Sequence, residues 1–314
     1  MSQILIGTSG YDYPEWKGVF YPADLKRKDF LPYYATQFNA LELNNTFYNM
    51  PTADRLLSFW ERSQGQLQFS VKANRLLTHE AGAGWKQNAA QFIQAVSPLA
   101  EKSCLCAVLF QFPQSFHYTP ENRVYLAKLI EMFGSLPVVI EFRHVEWIKE
   151  SVLEGLESRR ATLCYCDMPE LKYLPNIATS AVPEPFAAQL LGDSLKTVHR
   201  TVFALLRSAA PYVEGLSTPS RASLFYLRLH GRNEAAWYAT DNSPNGGSRY
   251  TYDYTDAELS QFVPVIQSAI LTGRRPVVFF NNHPNGSGAR NAVKLKDLLK
   301  ESRKEPTKIN QNCR

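Results

Sequence analysis

Eight short runs of apolar, β-branched or aromatic residues recur along nearly the whole chain, separated by longer segments with helical period. No other feature restricts the fold as strongly. The runs are ILIG (4–7), ALEL (40–43), LQFSVK (67–72), CAVLFQF (106–112), PVVIEF (137–142), ATLCYC (161–166), FYLRL (225–229) and VVFF (277–280). Between them lie DRLLSFWERS, AAQFIQAVSPLAEK, ENRVYLAKLIEMF and SVLEGLESRR, whose apolar residues recur at spacings of three and four. Turn-type SLP and RRP lead back into the fifth and eighth runs.

Eight strand–helix units in 314 residues match the count of a (β/α)8 TIM-type barrel, whose usual size is ~250 residues. The rival, a doubly wound open sheet, normally places a glycine-rich phosphate loop after its first strand. Here GTSGYDYPEWKGVFYP follows, with aromatics and two prolines unlike a turn that opens a helix. The expected fold is therefore α/β: a single barrel over residues 1–300 with a flexible polar tail at 301–314. Two connections exceed ordinary loop length, 8–28 after the first strand and 167–222 after the sixth. The second contains an insertion at about 171–220, with a helix expected in DSLKTVHRTVFALLRSA.

The strands carry polar residues where they end. Glu42 and Asn44 close the second, Lys72 the third and Gln111 the fourth; Glu141 and Arg143 close the fifth, and Asp167 the sixth. The seventh carries Arg228, His230 and Arg232 at alternate positions, and the eighth ends at Asn281 and Asn282. In a closed barrel these ends share one rim, which is where barrel enzymes keep their active sites. A single strand-end charge is more often a solvated cap; the repetition around the chain points to a pocket wall.

The residue types then suggest roles. His230 is the proton carrier, because imidazole titrates near neutrality, and Glu42 or Glu141 is its partner or a general base. Arg143, Arg228 and Arg232 suit bidentate grip on a phosphate or carboxylate. Lys72 could form a Schiff base given a lowered pKa, although an ordinary charge partner is the plainer reading. His79 and His283 could join from loops, whereas His117, His144 and His199 read as surface or packing residues.

No cofactor and no metal are expected. The five cysteines include two C-x-C pairs, Cys104/Cys106 and Cys164/Cys166, in strand-like runs where a thiol acts as a small apolar group. The strands also lack the clustered His and carboxylate ligands of a zinc or dimetal hydrolase. No apolar stretch reaches the ~18 residues of a membrane span, and MSQILIGTSG shows no leader, so a cytoplasmic protein is expected. Nucleophile elbows and Walker loops are absent.

Seven phrases run in order from Ile6 to Ala292: IGTSGYDYPEWKGVFYP, LELNNTFYNMP, FSVKANRLLTH, VLFQFPQSF, IEFRHVEW, YLRLHGR and FFNNHPNGSGARNA. Together they resemble the domain of unknown function 72 family, the YecE-like proteins. The resemblance implies a TIM-type barrel and names no reaction. It carries family motif positions onto Glu42, Asn44, Lys72, His79, Gln111, Glu141, Arg143, Asp167, Arg228, His230, Arg232 and Asn281. Tyr11 stands where the family usually has Trp, and 171–220 exceeds the usual length.

The function expected is an enzyme doing acid–base chemistry on a small anionic or polyhydroxylated, sugar-like ligand, its class open among hydrolase, lyase and isomerase. The catalytic set is His230, Glu141, Glu42, Lys72 and Asp167. The binding set is Arg143, Arg228, Arg232, Asn44, Gln111, His79 and Asn281. A nucleic-acid partner ranks behind it, on a net charge of +5, a pI near 8.8 and the polar tail. A ligand-binding barrel without catalysis uses the same residue types.

Overall fold

The computed structural model of the chain describes residues 4–175, 224–238 and 249–304. Eight parallel strands close into one barrel in sequence order: β1 (Leu5–Ser9), β2 (Ala40–Leu43), β3 (Gln68–Lys72), β4 (Leu105–Gln111), β5 (Val138–Glu141), β6 (Thr162–Asp167), β7 (Leu224–Leu229) and β8 (Arg275–Phe280). The doubly wound sheet is thereby excluded. Around the barrel run α1 (Phe30–Gln37), α2 (Ala53–Arg62), α3 (Trp85–Glu101), α4 (Pro120–Met132), α5 (Glu150–Ser158), α6 (Asp256–Ser260), α7 (Phe262–Leu271) and α8 (Ser287–Lys304). The last of these carries four residues of the expected tail into helix. The helix expected at 193–209, nearly all of the 171–220 insertion, and residues 305–314 with Cys313 lie outside the described residues. Among the described residues no helix is long and apolar enough to cross a membrane.

Strand alternation divides the core in two. Leu41, Phe69, Val108, Ile140, Leu163, Leu227 and Val278 point outward into the shell beneath the helices. Leu5, Ala40, Leu109, Val139, Cys164, Tyr226 and Val277 fill the barrel interior. Helix ends are fixed by local chemistry. Thr52 and Thr119 cap α2 and α4 by accepting from Arg55 N and Asn122 N, and Thr255 with Glu258 forms a capping box on α6.

Two local departures from alternation decide what reaches the mouth. The β3–β4 register shifts between Phe69/Leu105 and Ser70/Ala107, a bulge that places both Cys106 and Ala107 in the interior cluster. From there Leu109 and Gln111 share the inward parity. At the end of β7, Gly231 adopts φ +89°, and a Cβ there would lie 2.5 Å from Tyr252 Cβ. Only glycine takes that backbone without strain, and the turn carries Arg232 out of the Arg228–His230 row.

The first long connection folds over the barrel end. Its Tyr11, Trp16 and Tyr21 are buried, and Trp16 Nε1 donates to His283 O at 2.8 Å, tying the loop after β1 to the loop after β8.

Candidate active site at the barrel mouth

The polar residues of the upper interior form one continuous network. Arg228 is its hub, with Nη2 donating to Glu42 Oε1 at 2.5 Å and Nη1 to Glu141 Oε2 at 2.6 Å. Glu42 also accepts from Ser9 Oγ at 2.6 Å and from Tyr226 OH at 2.9 Å, and Tyr226 meets Ser70 Oγ at 2.6 Å. All of these side chains are fully or almost fully buried. Buried charges persist only when paired and hydrogen-bonded, and here one guanidinium serves two carboxylates.

Above the hub, Arg143 Nε donates to the other oxygen of Glu141 at 2.5 Å, and its Nη2 lies 3.2 Å from His230 Nε2. His230 Nδ1 meets the Asn281 amide at 3.0 Å. Burial by itself would lift the Glu141 carboxyl, but Arg143 and Arg228, with help from His230, hold it well below the usual range. Glu141 is therefore an ionised anchor.

The expectation that His230 titrates near neutrality is corrected. Burial, followed by the charge of Arg143, pushes its pKa down to about 3, against the opposing pull of Glu141. A neutral imidazole held by Arg143 and Asn281 orients neighbours and does not cycle a proton at pH 7. In a pH titration followed by NMR, the His230 ring signals should stay unshifted from pH 8 to pH 5. A His230 titration midpoint above 6 would overturn this assignment. The sign for stability follows from the direction of the shift. Between about 6.5 and 3 the unfolded chain binds the proton that His230 refuses, so its contribution is full above 6.5 and is lost as pH falls through that window.

Lys72 is the odd group. It is half-buried at the end of β3, with Nζ 2.8 Å from Gln111 Oε1 and 4.5 Å from the centre of the Phe47 ring. Glu42 and Glu141 are taken by Arg228 and Arg143, and among the described residues Lys72 makes no ion pair. Desolvation first, then the charge of Arg228, lowers its pKa to about 7, although Glu141 and Glu42 oppose the shift. The plainer expectation, an ordinary charge partner, gives way to an amine that changes protonation near neutrality.

The remaining expected residues divide. Asn44 and Gln111 stay at the mouth, Asn44 with its Oδ1 buried and without a hydrogen bond among the described residues. His79 is exposed beside the mouth, edge-on to the Phe47 ring at 4.8 Å. Asp167 and Arg232 are not part of this network. Asp167 has outward parity and binds Arg232 through Nε and Nη2 at 2.9–3.1 Å, and it accepts from Tyr254 OH at 2.6 Å. Arg232 continues to Glu258 at 3.3 Å. This second cluster fastens the segment before α6 to the barrel wall.

Sequence reasoning missed Ser9, Ser70 and Tyr226 in the interior, and Trp237 and Tyr250 above it. The ring of Trp237 lies 5.7 Å from the Arg143 guanidinium, and Tyr250 lies 6.1 Å from His230. Tyr226 was within reach, since it shares the parity of Arg228 and His230.

Among the described residues two groups of donors could hold a metal by proximity. In Glu141, Cys166 and His230 the guanidinium of Arg143 already occupies Glu141 and His230, which opposes a cation. His117, His144 and Glu146 are better spaced. Glu146 Oε2 lies 3.2 Å from His117 Nδ1 and 3.6 Å from His144 Nδ1, near the roughly 3.3 Å between donors on a tetrahedral zinc. The same atoms also bond to Tyr118 N and Glu146 N, so this trio is satisfied as a clasp between the loops after β4 and β5. A cavity of about 410 Å³ lies outside the barrel between α4 and α5, lined by Tyr118, Arg123, Val124, Trp147 and Arg159 among others, with no interior side chain on its wall.

A sequence profile described as "Protein of unknown function DUF72" matches residues 5–312. The chain is 25% identical over 306 residues to the UPF0759 protein YunF of Bacillus subtilis (strain 168), covering 94% of each. Among solved structures it resembles a DUF72 family protein of Thermotoga maritima MSB8, at 28% identity and TM-score 0.72, covering 95% of this chain and 99% of that one. A DUF72 family protein of Enterococcus faecalis V583 has the same fold, at 22% identity and TM-score 0.70, covering 95% and 96%.

Proposed function

Because the chain belongs to the family of proteins of unknown function DUF72, a membership that brings a barrel but no reaction, we propose its function from the barrel mouth itself. The protein is an enzyme that performs acid–base chemistry on a small anionic or polyhydroxylated molecule at the C-terminal rim, with Lys72 as the proton carrier. The observation that carries this reading is the placement of the Lys72 amine, 2.8 Å from the neutral amide oxygen of Gln111 and with no carboxylate partner among the described residues; burial and the charge of Arg228 bring its pKa down to about 7. A group poised at the working pH transfers protons most effectively in both directions.

The surroundings fit the ligand class. Arg143 spends Nε and Nη2 on Glu141 and His230, and no hydrogen bond among the described residues uses its Nη1, which leaves one edge for an anion. Asn44 Oδ1 and His283 Nδ1 are buried without hydrogen bonds among the described residues. A ligand hydroxyl supplies what such atoms need, since an unsatisfied buried polar atom costs about 1–3 kcal/mol. Glu42, Glu141, Arg228 and His230 are positioning residues here, holding Arg143 and the floor of the site.

The test is incubation in D2O with sugar acids, sugar phosphates and 2-oxo acids, followed by proton NMR. At least one compound should exchange a C–H proton or turn over with wild type and do neither with Lys72→Met. If wild type leaves every member of these three classes unchanged, the reading fails.

A further inference from the structure

From the geometry around Nζ we propose that Lys72 forms an imine with the carbonyl carbon of a small hydroxylated carbonyl compound that carries an anionic group. This rests on the reading of the mouth as an enzyme site and names the substrate class it takes.

Three observations carry the inference. The first is the way the amine is held. Gln111 Nε2 donates to Phe112 O at 3.1 Å, which fixes the side-chain amide so that Oε1 faces Lys72 at 2.8 Å. A neutral amide oxygen accepts one N–H and leaves the nitrogen lone pair free to attack, whereas a carboxylate partner would hold the ammonium form. Elsewhere Lys294 and Lys300 pair with Asp256 and Asp297 at 2.7 and 2.9 Å, the ordinary arrangement that Lys72 lacks. The second is the environment. The Phe47 ring covers the amine, and Arg228 and Arg143 add positive charge nearby, the two ways in which imine-forming lysines are activated.

The third is placement of the remaining recognition groups. Asn44 follows the Leu43–Val71 register pair by one residue, so its Oδ1, without a hydrogen bond among the described residues, belongs to the strand end beside Lys72. Arg143 follows the end of β5 by two residues, close enough for its charge to act on Lys72, and its Nη1 makes no hydrogen bond among the described residues. A ligand held by its anionic end on Arg143 and by a hydroxyl on Asn44 presents its carbonyl between them, where Nζ enters.

The chemistry balances without a co-reactant. The neutral amine adds its lone pair to the carbonyl carbon while the carbonyl oxygen takes a proton, giving a carbinolamine. That species expels its hydroxyl as water, the nitrogen losing the second of its original hydrogens, and the C=N bond forms. Protonation of the imine nitrogen acidifies the neighbouring C–H bond, which joins this step to the proton transfer proposed above. Water returns the amine and the carbonyl product.

The experiment treats the full-length protein with hydroxypyruvate, dihydroxyacetone phosphate or D-glyceraldehyde 3-phosphate in the presence of cyanoborohydride, and maps reduced adducts by peptide mass spectrometry. With at least one probe, the peptide containing Lys72 should be labelled roughly tenfold faster at pH 7 than that containing Lys294, whose hydrogen bond to Asp256 raises its pKa above the ordinary value. Labelling should saturate with probe concentration and vanish in Lys72→Arg, which keeps the charge. Labelling of Lys72 no faster than of Lys294 with all three probes overturns the imine. If Lys72-dependent exchange in D2O nevertheless persists, the acid–base reading stands without it; if both are absent, both fall.

Discussion

Lys72→Met is expected to stabilise the fold while removing the chemistry. The amine is forced from a pKa of 10.5 to about 7, and each unit of such a shift corresponds to about 1.4 kcal/mol. Below pH 7 the folded and unfolded chains both carry the proton, and the native state bears the whole cost of a desolvated ammonium. Between 7 and 10.5 the unfolded chain binds the proton more strongly, so the stability of wild type rises with pH across that window. The variant should therefore exceed wild type by several kcal/mol, on the order of the shift itself, at pH 6, and the difference should shrink towards pH 10. Loss of the Gln111 hydrogen bond offsets about 1 kcal/mol of this gain. Proton exchange or turnover should drop by about 10²–10⁴-fold, the usual share of a general acid–base group. Urea denaturation at the two pH values measures the first effect. A variant less stable than wild type at pH 6 would remove the case for a strained amine.

Arg228→Met should have the opposite consequence. The side chain is 1% exposed and bonds to both Glu42 and Glu141. Removing one member of a buried ionic group costs about 3–5 kcal/mol because the others remain uncompensated. The loss should be larger at pH 8 than at pH 5. Without Arg228 the carboxyl of Glu141 is held down less, so in the folded state it takes up a proton at higher pH, and lower pH then relieves the penalty. Adding Glu42→Gln should restore part of the stability, since it removes the carboxylate left without its counter-charge while Glu141 keeps its pairing with Arg143. A cost under about 1 kcal/mol for the single variant, measured by chemical denaturation, would mean that this arginine is not the hub.

Much of the barrel could be read directly. All eight strand runs lie within two residues of the strand bounds, because apolar runs flanked by helical periods leave few other arrangements; the eighth begins two residues late because RRP reads as a turn. The polar strand ends were also legible, and Glu42, Glu141, Arg143, Arg228 and His230 do converge. Roles were harder. His230 was read as a proton carrier from its intrinsic chemistry, whereas its charge state is set by burial beside Arg143. For Lys72 no sequence pattern reveals that its neighbouring carboxylates are already occupied by Arg228 and Arg143.

What the chain determines alone is period and parity: which residues of a strand share a face, and that eight such strands must close. Parity does not say which face is inward, so Asp167 could not be placed opposite Cys166 without the packed sheet. Nor does parity survive an inserted residue. The bulge at Cys106–Ala107 turns Gln111 inward to Lys72, and the left-handed turn at Gly231 sends Arg232 out to Asp167. Both follow from closing the barrel, where register with neighbouring strands and contact with Tyr252 outweigh the alternation of a single strand.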